Sequence, residues 1–226
     1  MTSTLPGTGR GAPPCCAARV VAPSRDTAAR IARHCPGVAA EVTPWDRVAG
    51  AAGMAVPRSA APRRGRVCVI GAIGEHKGHG VLLACARDAA ARGLDLDFTV
   101  VGHTEDDAAL FATGRVFVTG CYREGEAQGL IAAQKADIAF LPSIWPETWC
   151  YALSEAWQAG LAVVAFDTGA IGERVRDHGG GHLLPVGSPA GTINDTLLER
   201  LGRAAPRVRV SSPSPSPFPD RQDLPS

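Results

Sequence analysis

From Arg66 onward the chain alternates short, near-continuous apolar runs with amphipathic stretches, and this alternation leaves few folds open. Runs suited to buried strands fall at Arg66–Ile70, Leu96–Val101, Arg115–Val118, Asp137–Leu141, Ala162–Phe166 and His182–Leu184. Helical stretches come after them at Lys77–Arg92, Glu105–Ala112, Glu124–Lys135, Trp149–Ala159, Ile171–Asp177 and Pro189–Arg203. A strand that is apolar along its whole length is buried on both faces, so it belongs to a parallel sheet covered by helices on each side. Crossovers in such a sheet are right-handed. The expectation for residues 66–203 is an α/β fold, a doubly wound Rossmann-like parallel sheet.

Ligands of open α/β sheets bind beyond the carboxyl ends of the strands, so the residues just past each apolar run are the candidates for a site. After Asp137–Leu141, the residues Pro142, Ser143 and Pro146 break the strand, and a helical pattern opens near Thr148. Glu147 sits in the loop and Glu155 on the second turn of the helix, so both carboxylates can face one cleft. The helix start at Thr148, Trp149 and Cys150 offers unpaired N–H groups and the positive end of a macrodipole, a place for phosphate. Glu155 could then accept hydrogen bonds from ribose hydroxyls. The plainer alternative makes Glu147 a first-turn acid and Glu155 solvated surface.

The first strand ends in Gly71-Ala72-Ile73-Gly74-Glu75-His76-Lys77-Gly78. Glycines here let backbone approach a ligand, and Lys77 at the start of the next helix can meet a diphosphate as a point charge. The pattern matches neither the dinucleotide fingerprint nor the P-loop. His76 and His79 flank Lys77 and read as surface residues. The second strand ends at Gly102, where base or ribose could approach. Gly169 lies in a Gly-containing loop before Glu173, which reads equally as a site acid or a helix cap.

These landmarks together are similar to a known family. Pro142-Ser143, Pro146-Glu147, seven intervening residues, Glu155-Ala156, Ala159-Gly160 and the run from Ala162 to Phe166 resemble the signature of retaining GT-B glycosyltransferases of family four. The likeness extends from about Arg66 to Pro185. It implies a donor-binding domain, the carboxy-terminal half of a GT-B fold, in which Glu147 orients the sugar, Lys77 grips the diphosphate and Glu155 holds the ribose. Gly71, Gly74, Gly102, Thr148, Trp149, Cys150 and Gly169 would border the donor. It implies a nucleoside-diphosphate sugar as donor, a glycan or lipid-linked glycan as acceptor, and no cofactor or metal. One position departs from the family pattern. Where an Arg of the diphosphate clamp is expected stands Ala72, and Lys cannot reproduce the bidentate fork of Arg. A catalytically silent nucleotide-sugar-binding module or truncated remnant is therefore the alternative to an active glycosyltransferase.

Upstream, Arg19–Ser24 reads as a short strand ending in a helix-capping Ser, Arg25–His34 as a helix stopped by Cys35-Pro36-Gly37, and Val38–Val42 as a second strand. Residues 19–46 resemble the end of the amino-terminal acceptor domain of the same family, with the earlier part absent, which leaves two expectations: a separate acceptor-domain protein as partner, or a remnant of a longer enzyme. Residues 47–65 read as linker, and residues 1–18 and the Pro/Ser-rich 204–226 as disordered.

Among 226 residues the net charge is +1, with no basic cluster, which argues against nucleic acid as a partner. No apolar run approaches membrane-spanning length and no signal-peptide core opens the chain, so a cytoplasmic location is expected. The seven cysteines show no CxxC spacing and read as reduced thiols. Cys150, at a helix start, is either a thiol of lowered pKa or simply a small residue permitting close approach.

Overall fold

A computed structural model describes residues 19–46 and 64–203. The expectations for residues 1–18, for 204–226 and for nearly all of the 47–65 linker lie outside the described residues.

The first segment forms β1 (Val20–Ala22), α1 (Arg25–His34) and β2 (Ala40–Val42), with β1 and β2 paired in parallel. Ser24 caps α1 by accepting a hydrogen bond from the Thr27 N–H, Asp26 lies in the first turn, and Arg33 and His34 close the last. Acid at the start and base at the end suit the helix dipole, which is why the bounds match the sequence pattern.

The larger segment continues as β3 (Gly65–Ile73), α2 (His79–Ala91), β4 (Leu96–Thr104), α3 (Asp107–Phe111), β5 (Val116–Val118), α4 (Ala127–Gln134), β6 (Ile138–Leu141), α5 (Tyr151–Gln158), β7 (Val163–Phe166), α6 (Gly169–His178), β8 (Gly181–Leu184) and α7 (Ala190–Arg200). Six strands form one sheet in the order β5-β4-β3-β6-β7-β8, every pair parallel. The chain moves outward from β3 to β5, then returns to the other side of β3 and moves outward again. Its direction of progress therefore reverses between β3 and β6, and such a switch point leaves a crevice at the carboxyl ends of the two strands.

Period-two alternation divides the core between the faces. Val67 and Val69 of β3 join Leu82, Phe98, Phe140, Phe166 and Leu197 under one helical layer. Cys68 and Ile70 join Ile131, Leu153, Trp157 and Ile171 under the other. Phe140 and Phe166 meet edge to face at 6.3 Å on adjacent strands. Each fully buried Phe contributes about 1.5–3 kcal/mol by leaving water, and the sheet is apolar on both sides for that reason.

Several helices begin one to three residues later than the periodicity predicts, and at the cleft two of them, α2 and α5, do so for a backbone reason. α2 starts at His79, not Lys77, because Gly78 turns left-handed at φ 84° before it. α5 starts at Tyr151, not near Thr148, because Cys150 adopts φ 73°. In both cases the residue that closes the turn offers no side-chain cap that the sequence would advertise.

Candidate functional site

The crevice at the switch point is a cleft of about 470 Å³ lined by the end of β3 and by the loop and helix after β6. Of the residues singled out from the sequence, Gly71, Lys77, Glu147, Thr148, Trp149, Cys150 and Glu155 line it. Gly74, Gly102 and Gly169 do not. Gly74 lies in the neighbouring hollow formed with His103 and Glu105. A Cβ on Gly102 would collide with the Gly71 carbonyl, so its missing side chain serves strand packing. A Cβ on Gly169 would collide with the Pro146–Glu147 backbone, and the Ala170 N–H donates to the Glu147 carbonyl at 2.9 Å. Gly169 thus seats the loop that carries Glu147 without facing the cleft itself.

Backbone contacts join the loops after β3 and β6. The Ile144 N–H donates to the His76 carbonyl at 3.1 Å, and the Ser143 hydroxyl donates to the same oxygen at 3.3 Å. Gly78 sits against the Pro142 carbonyl at a distance no side chain could share. This stitching brings Lys77 across to Glu147, whose carboxylate it meets at 2.7 Å. Lys77 stays 45% exposed while Glu147 is 12% exposed, so the cation can swing but the carboxylate is held. Lys77 is the single cationic side chain among the described residues lining the cleft, and Ala72 lines it without adding charge.

Glu155 projects from α5 into the same cleft, half-buried. Burial raises its carboxyl pKa above the ordinary value, and no described cation pairs with it. A half-desolvated carboxylate of this kind is ready to accept hydroxyl donors. Tyr122 closes the cleft on the β5 side, its phenol pKa raised by burial and then by Glu155 and Cys68.

Cys150 is buried, and burial, with the charge of Glu147 adding to it, pushes its thiol up to about 12. The lowered-pKa reading is thereby overturned, since burial and Glu147 outweigh the opposing pull of Lys77 on the sulfur. Cys68 and Cys85 are likewise pushed up to about 12, chiefly by burial. His79 is buried with Nε2 3.1 Å from the Asp106 carbonyl, and the His76 ring packs on Trp145 at 5.0 Å. Glu173, read as either a site acid or a cap, accepts from the Arg25 and Asp26 N–H groups and so caps α1 from outside.

Sequence reasoning missed the side chains that hold the β6 loop. Arg174 of α6 is only 3% exposed. It donates to the Trp149 carbonyl at 3.1 Å, the Cys150 carbonyl at 2.9 Å, the Ser154 hydroxyl at 2.7 Å and Asp46 at 3.4 Å. Its guanidinium lies 3.9 Å from the Trp149 ring centre. Asp46 also accepts from the Trp149 indole at 3.0 Å and the Ser154 hydroxyl at 2.7 Å. Burial lowers the Arg174 pKa, with Asp46 and then Cys150 opposing that shift. One signal was available: Arg174 falls three residues after Ile171 and one before Val175, on the buried stripe of its helix. Trp45, stacked on Tyr151 at 6.0 Å at the rim, was also missed.

A parallel doubly wound sheet whose switch point opens onto a lysine, two carboxylates and a helix start defines a Rossmann-like ligand-binding unit. Residues 64–201 match the family described as Glycosyl transferases group 1, and the chain belongs to that family. The phosphatidyl-myo-inositol mannosyltransferase of Mycobacterium tuberculosis is 33% identical over 158 residues, covering 66% of this chain and 41% of that protein. This chain thus spans less than half the length of the curated relatives it matches. Among solved structures, TarM of S. aureus, crystallised as a mutant with Fondaparinux, alpha-GlcNAc-glycerol and UDP, superposes with TM-score 0.61 at 15% identity over 82% of this chain and 37% of its own. The apo lipopolysaccharide outer core galactosyltransferase WaaB superposes with TM-score 0.58 at 15% identity, over 83% of this chain and 55% of its own. At such identities the likeness is one of fold, and the fold is the Rossmann-like half of GT-B glycosyltransferases. No helix among the described residues is long and apolar enough to cross a membrane.

Proposed function

We propose that this chain binds a nucleoside-diphosphate sugar and takes part in transfer of the sugar to an acceptor with retention at the anomeric carbon. The observation that carries the reading is the convergence of Lys77, Glu147, Glu155 and the start of α5 on one cleft at the switch point. The bond that breaks joins the anomeric carbon to a diphosphate oxygen, and the leaving diphosphate takes the electron pair. Lys77 and the unpaired N–H groups at the start of α5 meet that charge where it develops, which lowers the barrier. Lys77 leaves Glu147 as the diphosphate arrives, and Glu147 then orients the sugar hydroxyls. Glu155 accepts from the ribose, and Gly71 leaves room for close approach of the nucleotide. The acceptor oxygen takes the place of the diphosphate on the same face of the ring, and its proton passes to the departing diphosphate oxygen.

Residues 19–46 fit the end of an acceptor-side domain, with an acceptor-binding domain facing the cleft from the far side. A glycan or lipid-linked glycan acceptor is supported by the relatives named above, one of them a phosphatidyl-myo-inositol mannosyltransferase. A UDP-type donor is supported by the TarM complex. Ala72 favours a second reading, a binding module without turnover, because one diphosphate donor is missing.

Titration calorimetry with UDP-, GDP- and ADP-sugars, mannose and glucose forms included, tests the proposal. Saturable binding of one nucleotide-sugar is expected, and a folded chain that binds none overturns it. Binding without sugar release or transfer in the presence of glycan and lipid-linked acceptors selects the second reading.

A further inference from the structure

Two non-glycine residues among those described have positive φ, Lys135 and Cys150. Lys135 ends α4, and the left-handed region is common at helix carboxyl ends. Cys150 stands at the opposite end of a helix, where the capping residue is ordinarily extended. A residue in this region persists where its surroundings over-determine it, and such strain gathers at ligand-facing turns. What over-determines Cys150 is Arg174. One Nη atom spans the carbonyls of Trp149 and Cys150, at 3.1 and 2.9 Å, and the other reaches Ser154 on the first turn of α5.

A guanidinium gripping two successive carbonyls from the protein side fixes the peptide planes of the turn. With those planes fixed, the N–H groups of the same segment are committed to the side from which the carbonyls have been withdrawn. That side is the cleft, which Thr148, Trp149, Cys150, Tyr151 and Ala152 all line.

We infer that Arg174 is a positioning residue for anion binding: from outside the cleft it locks the left-handed turn at Cys150 and so aims the free N–H groups at the start of α5 at a diphosphate. Asp46, which Arg174, the Trp149 indole and the Ser154 hydroxyl all reach, ties the segment that carries Trp45 to the same turn. The diphosphate part of this inference rests on the proposed function, whereas the locking of the turn does not.

The test uses Arg174→Met, Arg174→Lys and Arg174→Met combined with Cys150→Gly, in the full chain. Amide exchange by mass spectrometry reads the turn, and calorimetry with UDP, GDP and ADP reads the anion site. In Arg174→Met, exchange at residues 155–158, the amides bonded within the start of α5, rises by about tenfold as the unlocked turn frays while the β3 and β6 amides stay protected, and affinity for whichever nucleotide the unmodified chain binds falls on the order of tenfold. Arg174→Lys, which keeps the charge but lacks the fork, shows both effects to a smaller degree and serves if the Met variant fails to fold. Adding Cys150→Gly removes the strain that the lock opposes and restores part of the affinity, which a generally loosened domain would not regain. A folded Arg174→Met or Arg174→Lys protein with unchanged exchange at residues 155–158 overturns the inference. Altered exchange in a chain that binds none of the three nucleotides overturns the proposed function and leaves the lock standing.

Discussion

The two loops that face each other across the cleft are built on opposite principles. The loop after β3 is shaped by backbone freedom: Gly71 and Gly78 have positive φ, and Gly78 lies where any Cβ would strike the Pro142 carbonyl. It lends the cleft one charged side chain, Lys77. The loop after β6 has its left-handed residue at Cys150, and distant side chains, Arg174, Asp46 and Ser24, hold it through its carbonyls and its tryptophan. A loop made from glycines is held by what it omits, and a loop made from buried polar bonds by what reaches it from elsewhere. The first resists insertion of atoms and the second resists removal of them.

That contrast can be broken or sharpened by substitution. The largest effect is expected at Gly78→Ala, which adds a left-handed cost of about 1–2 kcal/mol to overpacking of about 1–3 kcal/mol against main chain that has no room to yield. Urea unfolding should show the combined loss, and an unchanged midpoint would mean that the β3 loop is not fixed by its backbone.

Next is Glu155→Gln, on the side-chain-built half of the cleft. Loss of a charged acceptor costs about 1.5–3 kcal/mol of ribose binding, seen as weaker nucleotide affinity by calorimetry. Stability moves the other way. Burial raises the folded pKa of Glu155 above its unfolded value, so its contribution to stability is fully present below the unfolded pKa and is lost as pH rises through the folded one. The Gln variant should therefore gain in Tm over the unmodified chain as pH is brought from acidic to neutral, and a gap that stays constant with pH would show that the carboxylate is not desolvated.

The smallest effect is expected at Glu147→Gln. Freed from its 2.7 Å ion pair, Lys77 meets the diphosphate without first leaving a partner. Partly exposed pairs are worth about 0.2–1 kcal/mol, so affinity for the nucleoside diphosphate should tighten slightly while sugar transfer falls. Weaker diphosphate binding in this variant would show that the ion pair assists the donor and does not compete with it.

Legibility in the sequence divides along the same line. The six apolar runs became the six strands because burial on both faces requires uninterrupted apolar residues, and α1 kept its bounds because Ser24, Asp26 and the Cys35–Gly37 stop act within a few residues of one another. Glu147 and Glu155 were readable as a pair because one helix start separates them. The starts of α2 and α5 were displaced, since Gly78 and Cys150 close their turns by dihedral angle alone. The Arg174–Asp46 contact joins residues 128 positions apart, and no local pattern encodes such a meeting. The choice between the two readings of Cys150 was open for a related reason: a helix start favours a thiolate, but the burial that raises its pKa is a property of the assembled fold.

The seat of α1 on the cleft loop has a further consequence. The hydroxyls of Ser24 and Thr27 both donate to the Thr148 carbonyl, at 3.1 and 3.3 Å, so the outer face of the ligand loop is also the dock for residues 19–46. Two binding events that share one segment are linked, and the linkage is reciprocal: whatever factor a ligand adds to the docking of that βαβ unit, the docked unit returns to the ligand. The small βαβ unit and the cleft thus share one loop, and a substitution that undocks α1 also removes two of the hydrogen bonds that hold the Thr148 carbonyl.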